Sequence, residues 1–170
     1  MKDRDMQLPL SHLNSAGKAR MVDVGGKALT SRSAWAQCLV SIGPALARQL
    51  RTSPHTAKGN VLETARLAGI QAAKRTSELI PLCHPLPLES IEIEAELGED
   101  CVRLQGCVRA QAKTGVEMEA LTAVTVAALT VYDMIKSAVL EAIIGPARLL
   151  RKEGGKSGTW VRPEDENGTR

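Results

Sequence analysis

Phenylalanine is absent from this 170-residue chain, and its only aromatic residues are Trp35, Tyr132 and Trp160. Any core must therefore be aliphatic, built from Ala, Val, Leu and Ile. The same shortage counts against an RNA-binding sheet, which holds bases by stacking them on several aromatic faces; Trp35 alone is poor provision. Cysteine is also sparse. Cys38, Cys83, Cys101 and Cys107 form no C-x-x-C pair, which excludes a zinc knuckle and a dithiol motif. No apolar run reaches the ~18 residues of a membrane helix. The opening residues are charged, so no signal sequence is expected. These absences suggest a cytoplasmic protein with reduced thiols and neither a membrane nor a nucleic-acid partner.

The chain is 44% hydrophobic and 24% charged, in the range of a globular domain with enough length for a real core. The net charge of +3 is too small to argue for nucleic acid, but local clusters of Lys and Arg are enough for a small anionic substrate. The composition divides the chain into a flexible segment over 1–20, one domain over 21–158 and a flexible tail over 159–170. His12 in the first segment reads as a surface residue without a role. No internal repeat is evident.

Alternation marks the strands. Ala34, Ala36, Cys38, Val40 and Ile42 share one face of a strand over 33–42. A second run places Ile91, Ile93, Ala95 and Leu97 opposite Glu92, Glu94 and Glu96. A third places Val102, Leu104, Val108 and Ala110 opposite Arg103, Gln105 and Arg109. The short link Gly98-Glu99-Asp100 makes these two runs a hairpin, with an acidic strand beside a basic one. Pro44 opens a short helix to Arg51, a polar loop follows, and Asn60 caps a helix running to about Thr76. The longest helix spans roughly 116–138. Gly145-Pro146 then breaks the chain, and Ala147 to Lys152 form a last strand. The order strand, helix, strand, strand, helix, strand predicts an α+β, ferredoxin-like βαββαβ fold, with both helices on one face of an antiparallel sheet.

The stretch Pro81-Leu82-Cys83-His84-Pro85 holds a thiol and an imidazole between two prolines. Proline fixes φ and restricts its predecessor, so His84 sits on a stiff platform with Lys74 and Arg75 upstream. Asp133 and Lys136 are three apart and share a helix face. On a surface they are a structural pair; in a pocket they are a base-and-acid couple. Glu117 and Glu119 suit the positive end of the long helix, or recognise a guanine-like ring through its N–H groups. Lys58, Lys74, Arg75 and Lys136 could converge on phosphates, with Lys27, Lys113 and Lys156 as further candidates. Gly155-Lys156-Ser157 is not a P-loop, because the glycine needed five places earlier is Leu150. Glu119 and Asp133 stand 14 positions apart, about 21 Å along a straight helix, so one small substrate reaches both only if neighbouring subunits share the site.

Several stretches together resemble one family. They are Met21-Val22-Asp23-Val24, Ala68 to Thr76, Leu79 to Leu86, Lys113 to Leu121, Tyr132-Asp133-Met134 with Lys136, and Gly154 to Gly158. In this order they are similar to the cyclic pyranopterin monophosphate synthases of molybdenum cofactor biosynthesis. The resemblance runs from about residue 12 to 158. One departure is Asn60, after Lys58-Gly59, where an Asp is expected; Asn caps a helix equally well.

The resemblance implies a lyase acting on a cyclised GTP derivative, 3′,8-cyclo-7,8-dihydroguanosine triphosphate, and releasing cyclic pyranopterin monophosphate and diphosphate. It implies no redox cofactor, and because Cys83 and His84 are adjacent with no companion pair at ligand spacing, no metal site is expected from these residues. It also implies a homohexamer, a trimer of dimers, with sites shared between subunits. By position, Asp133 is the expected catalytic residue, with Lys136 and Lys58. Leu82, Cys83, His84, Met118 and Glu119 match substrate-contacting segments. Glu117, Lys74, Arg75 and Lys27 join them as substrate-binding candidates, and Lys58 and His84, with Lys74 and Arg75, are expected to neutralise the phosphates. A nucleic-acid module and a non-catalytic ligand-binding or scaffold protein are the competing readings.

Overall fold

The computed structural model describes residues 17–163; His12 and the tail after residue 163 lie outside them. Strand β1, Thr30–Ser41, is central. It pairs antiparallel with β5, Cys101–Ala112, on one side and with β6, Ile143–Glu153, on the other. Beyond β5 lies β4, Ser90–Leu97, and beyond β6 a short β7, Trp160–Val161. The order β4-β5-β1-β6-β7 is the ferredoxin-like arrangement with one added edge strand.

The register explains the layering. Ala34, Ala36, Cys38 and Val40 pair with Val108, Gly106, Leu104 and Val102, and Ile91, Ile93, Ala95 and Leu97 meet the same partners from the far side of β5. Every second side chain therefore joins one apolar face. Two helices cover that face: α2, Val61–Lys74, and α4, Glu117–Ile135. Val61, Ala65 and Ala73 of α2 and Ala120, Ala123, Val124, Ala127, Ala128 and Val131 of α4 are buried with it. Small side chains let the layers come close. A Cβ on Gly69 would lie 3.0 Å from the Ala123 carbonyl oxygen, and one on Gly106 would lie 3.0 Å from both Ile93 and Val124. The acidic-beside-basic hairpin forms the expected pairs, Arg109–Glu92 at 2.9 Å and Arg103–Glu96 at 3.8 Å. Both pairs are exposed and contribute little to stability.

Some boundaries differ from the sequence reading. β1 starts three residues earlier, at Thr30, because β5 runs on to Ala112 and the ladder continues through Arg32–Ala110, Ser31–Gln111 and Thr30–Ala112. After the first helix, α1 (Pro44–Thr52), the polar loop folds into a tiny hairpin of β2, His55–Thr56, and β3, Gly59–Asn60. Such a hairpin is too short to leave a periodic signal. Asn60 caps α2 as expected, its side chain accepting from the Glu63 amide at 3.0 Å. α2 ends at Lys74, and a separate turn, α3 (Thr76–Leu79), carries the chain to Pro81. β6 runs back through Gly145-Pro146 to Ile143 instead of starting after it; the register shift between Cys38 and Val40 absorbs the interruption. Trp160 and Val161, at the start of the expected tail, pair with Lys152 and Arg151. By length and composition α4 alone among the described helices could cross a membrane, but half of it is buried as the core helix of the α/β sandwich.

Candidate active site

The chemistry-bearing residues gather at the two ends of α4. At its C-terminal end the β2–β3 hairpin presents Lys58. The Lys58 amide donates to Thr56 Oγ1 at 3.1 Å, and Gly59 turns the chain with φ of 110°. Lys58 Nζ then reaches Asp133, 2.7 Å from Oδ2 and 3.1 Å from the backbone carbonyl. Lys136, one turn on from Asp133, places its Nζ 2.8 Å from Oδ1. Each carboxylate oxygen of Asp133 thus has its own ammonium. Hydrogen bonding to Lys136, then to Lys58, holds its pKa down at about 2, and Asp133 in turn pushes Lys136 up. All three side chains are about half exposed, so the cluster is open to a ligand. Tyr132 donates to the Leu140 carbonyl at 3.0 Å and ties down the turn that carries Lys136.

At the N-terminal end lies a cavity of about 800 Å³. The platform lines one wall with Ile80, Pro81, Leu82, Cys83, His84 and Leu86; Val22, Met118 and Glu119 are among the rest. Glu119 is 4% exposed. Burial pushes its carboxyl up to about 7, with the Glu117 charge adding to the rise. Such a group moves between neutral and charged at physiological pH, and its neutral form both donates and accepts. Burial also raises the Cys83 thiol, helped by the charge of Glu119, which disfavours the thiolate.

A second cavity, of about 590 Å³, adjoins the first through Lys27, Thr114, Gly115 and Glu117. Its character is cationic: Lys27, Arg32, Lys113, Lys152 and Lys156 all line it. Lys113 is anchored by donating to the Gly25 carbonyl at 2.8 Å, and Lys152 by donating to Ser157 Oγ at 2.6 Å. The glycines of the Gly154 to Gly158 turn have a geometric purpose. Gly154 and Gly155 have φ of 93° and 72°, and a Cβ on Gly155 would strike the Arg32 guanidinium.

The twelve sequence candidates are thus distributed unevenly. Asp133, Lys136 and Lys58 meet at one end of α4. Leu82, Cys83, His84, Met118, Glu119, Glu117 and Lys27 line the cavities at the other. Lys74 and Arg75 are exposed and line neither cavity. Sequence reasoning missed Arg32 and Lys152. One opens the first strand and the other closes the last long one; only the pairing of β1 with β6 brings them together. No local pattern marks either residue. Among the described residues no three His, Cys, Asp or Glu side chains gather where a metal ion could be held.

Comparison with known proteins places the chain in a family. The model of the MoaC family matches residues 21–155. A protein of Thermomicrobium roseum, a cyclic pyranopterin monophosphate synthase, is 52% identical over 159 residues, which cover 92% of this chain and 95% of that protein.

Proposed function

The chain belongs to the MoaC family, and from that premise we propose which of its residues carry the reaction and how. The protein is a lyase of molybdenum cofactor biosynthesis. It converts the cyclised guanosine triphosphate derivative into cyclic pyranopterin monophosphate and diphosphate.

The reaction asks for three things: recognition of a guanine-derived ring, proton transfer during its rearrangement, and stabilisation of a departing diphosphate. The mostly apolar cavity suits the first. Leu82, Cys83, His84 and Met118 flank the ring, and Glu119 pairs with its N–H groups. The adjoining cationic cavity suits the third. Lys27, Arg32, Lys113, Lys152 and Lys156 face the phosphates, and positive charge on the leaving diphosphate favours attack of a ribose-derived hydroxyl on the α-phosphorus. The P–O bond to diphosphate breaks as the cyclic ester forms.

Proton transfer falls to Asp133. A carboxylate held at about 2 between two ammoniums is a weak base. It gains basicity when a ligand phosphate draws Lys58 or Lys136 away, so substrate binding itself would arm the group. The released ammonium then serves as the acid. Lys74 and Arg75 reach a phosphate when a neighbouring protomer brings one to them.

The observation that carries this reading is the separation of the two clusters by the length of one helix, Glu117–Ile135. At about 1.5 Å per residue, Glu119 and Asp133 are about 21 Å apart. A complete site therefore forms between protomers, consistent with a hexamer built as a trimer of dimers. The setting is the cytoplasm, where free thiols such as Cys83 persist. The test is diphosphate release from the cyclised nucleotide by wild type and by Asp133→Asn. Full turnover by the variant would remove Asp133 from the mechanism.

A further inference from the structure

Glu117 is out of place. Among the described residues it is the only acid lining the cationic cavity, beside five Lys and Arg side chains, and it stands at the junction with the apolar one. Its carboxylate lies flat on Gly115: a Cβ there would be 1.8 Å from Oε2 and 2.5 Å from Cδ. Gly115 does not have the positive φ that usually demands glycine. What its missing side chain provides is a berth for the Glu117 carboxylate.

That berth is occupied but not locked. Glu117 Oε1 is 3.6 Å from Lys152 Nζ, whereas Lys152 makes its short hydrogen bond, 2.6 Å, to Ser157 Oγ. A committed ammonium–carboxylate bond would be about 2.8 Å. The Glu117 side chain is 30% exposed, which leaves it room to swing. A carboxylate and a phosphate are both acceptor-only anions, and the same cations satisfy either.

We propose that Glu117 is a displaceable counter-ion. It occupies the cationic cavity while that cavity is empty, and a polyphosphate of sufficient charge drives it off Lys152. The proposal rests on the reading of this cavity as the phosphate end of the site. It gives Glu117 a part different from ring recognition. The residue lowers affinity for every phosphate, and it lowers it most for ligands too weakly charged to evict it. It also returns to Lys152 as the product diphosphate leaves, which favours release over inhibition.

Titration calorimetry of the full-length protein with inorganic diphosphate, and separately with inorganic phosphate, tests this. Glu117→Gln keeps the shape and removes the charge; diphosphate should bind it about 3- to 10-fold tighter than wild type, and inorganic phosphate should gain at least as much. Glu117→Ala should move affinity in the same direction, should the first variant not fold. Lys152→Ala should weaken diphosphate binding. Unchanged or weaker binding to both Glu117 variants, with Lys152→Ala still weakened, overturns the counter-ion and leaves the phosphate cavity standing. No effect of Lys152→Ala, or no diphosphate binding by any form, overturns both.

Discussion

Lys58 Nζ stands 2.7 Å from Asp133 Oδ2, joining residues 75 positions apart and tying the hairpin His55–Asn60 to the end of the core helix. With Lys136 on the other oxygen, the carboxylate is ionised throughout the physiological range. Substituting Asp133→Asn should therefore lower turnover by at least ~10²-fold, the usual scale of a lost acid–base group. Stopped or continuous measurement of diphosphate release checks it. Lys58→Ala should raise the KM for the triphosphate substrate far more than it weakens a dephosphorylated analogue. Equal weakening of both would remove the phosphate contact.

Glu119 gives a pH dependence of defined sign. Its folded pKa, about 7, lies above the ordinary 4.5, because burial penalises the charged form. A raised carboxyl contributes stability that is complete below about 4.5 and is lost as pH rises through about 7. Glu119→Gln has no such proton to lose. Relative to that variant, wild type should lose about 3 kcal/mol of stability between acid and mildly alkaline pH. Denaturant unfolding of both proteins across that range measures the difference; parallel profiles would mean that Glu119 is solvated.

The proposed sharing of the site between subunits predicts complementation. Asp133→Asn and Glu119→Gln are each expected to be nearly inactive. When unfolded together and reassembled, a random mixture should regain about a quarter of wild-type activity, because some sites then draw both native residues from different chains. No recovery, with assembly confirmed by sedimentation, would place both residues in one protomer's site.

Gly69 offers a test of the packing. An added methyl would press on the Ala123 carbonyl at 3.0 Å and the Ala127 methyl at 3.3 Å. Helix propensity favours Ala over Gly by about 1 kcal/mol. Overpacking against a backbone atom costs about 1–3 kcal/mol, so the steric term wins. Gly69→Ala should lower the unfolding free energy by about 1 kcal/mol; a gain in Tm would show that α2 can shift outward freely.

Much of this architecture was legible in the residues. Ile91 to Leu97 alternate with glutamates because β4 is covered on one face only, and that contrast is written directly in sequence; in β1 the contrast fades after Ala36, where Gln37 and Leu39 on the opposite face are buried too. The β2–β3 hairpin was not legible. Two residues per strand hold no period, and its shape comes from Thr56 and Gly59 acting locally. The residues alone start β6 after Pro146, a residue that usually ends a strand, and only the neighbouring register shows the irregularity that accommodates it. The site divides in the same way. Asp133 and Lys136 share a helix face and could be paired from spacing. Lys58, Arg32 and Lys152 arrive from distant segments, and their convergence is a property of the topology.

The placement of the two tryptophans decides what light can report. Trp35 lies under the Arg151 guanidinium, 5.0 Å from its ring centre, on the sheet face turned away from the helices, and Trp160 sits on the edge strand. Neither lines the two cavities at the start of α4. Intrinsic emission will therefore follow changes at the sheet surface and stay nearly silent to a ligand beneath Glu119. With so few indoles absorbing, the chromophore of a bound pterin can be followed directly in the near ultraviolet.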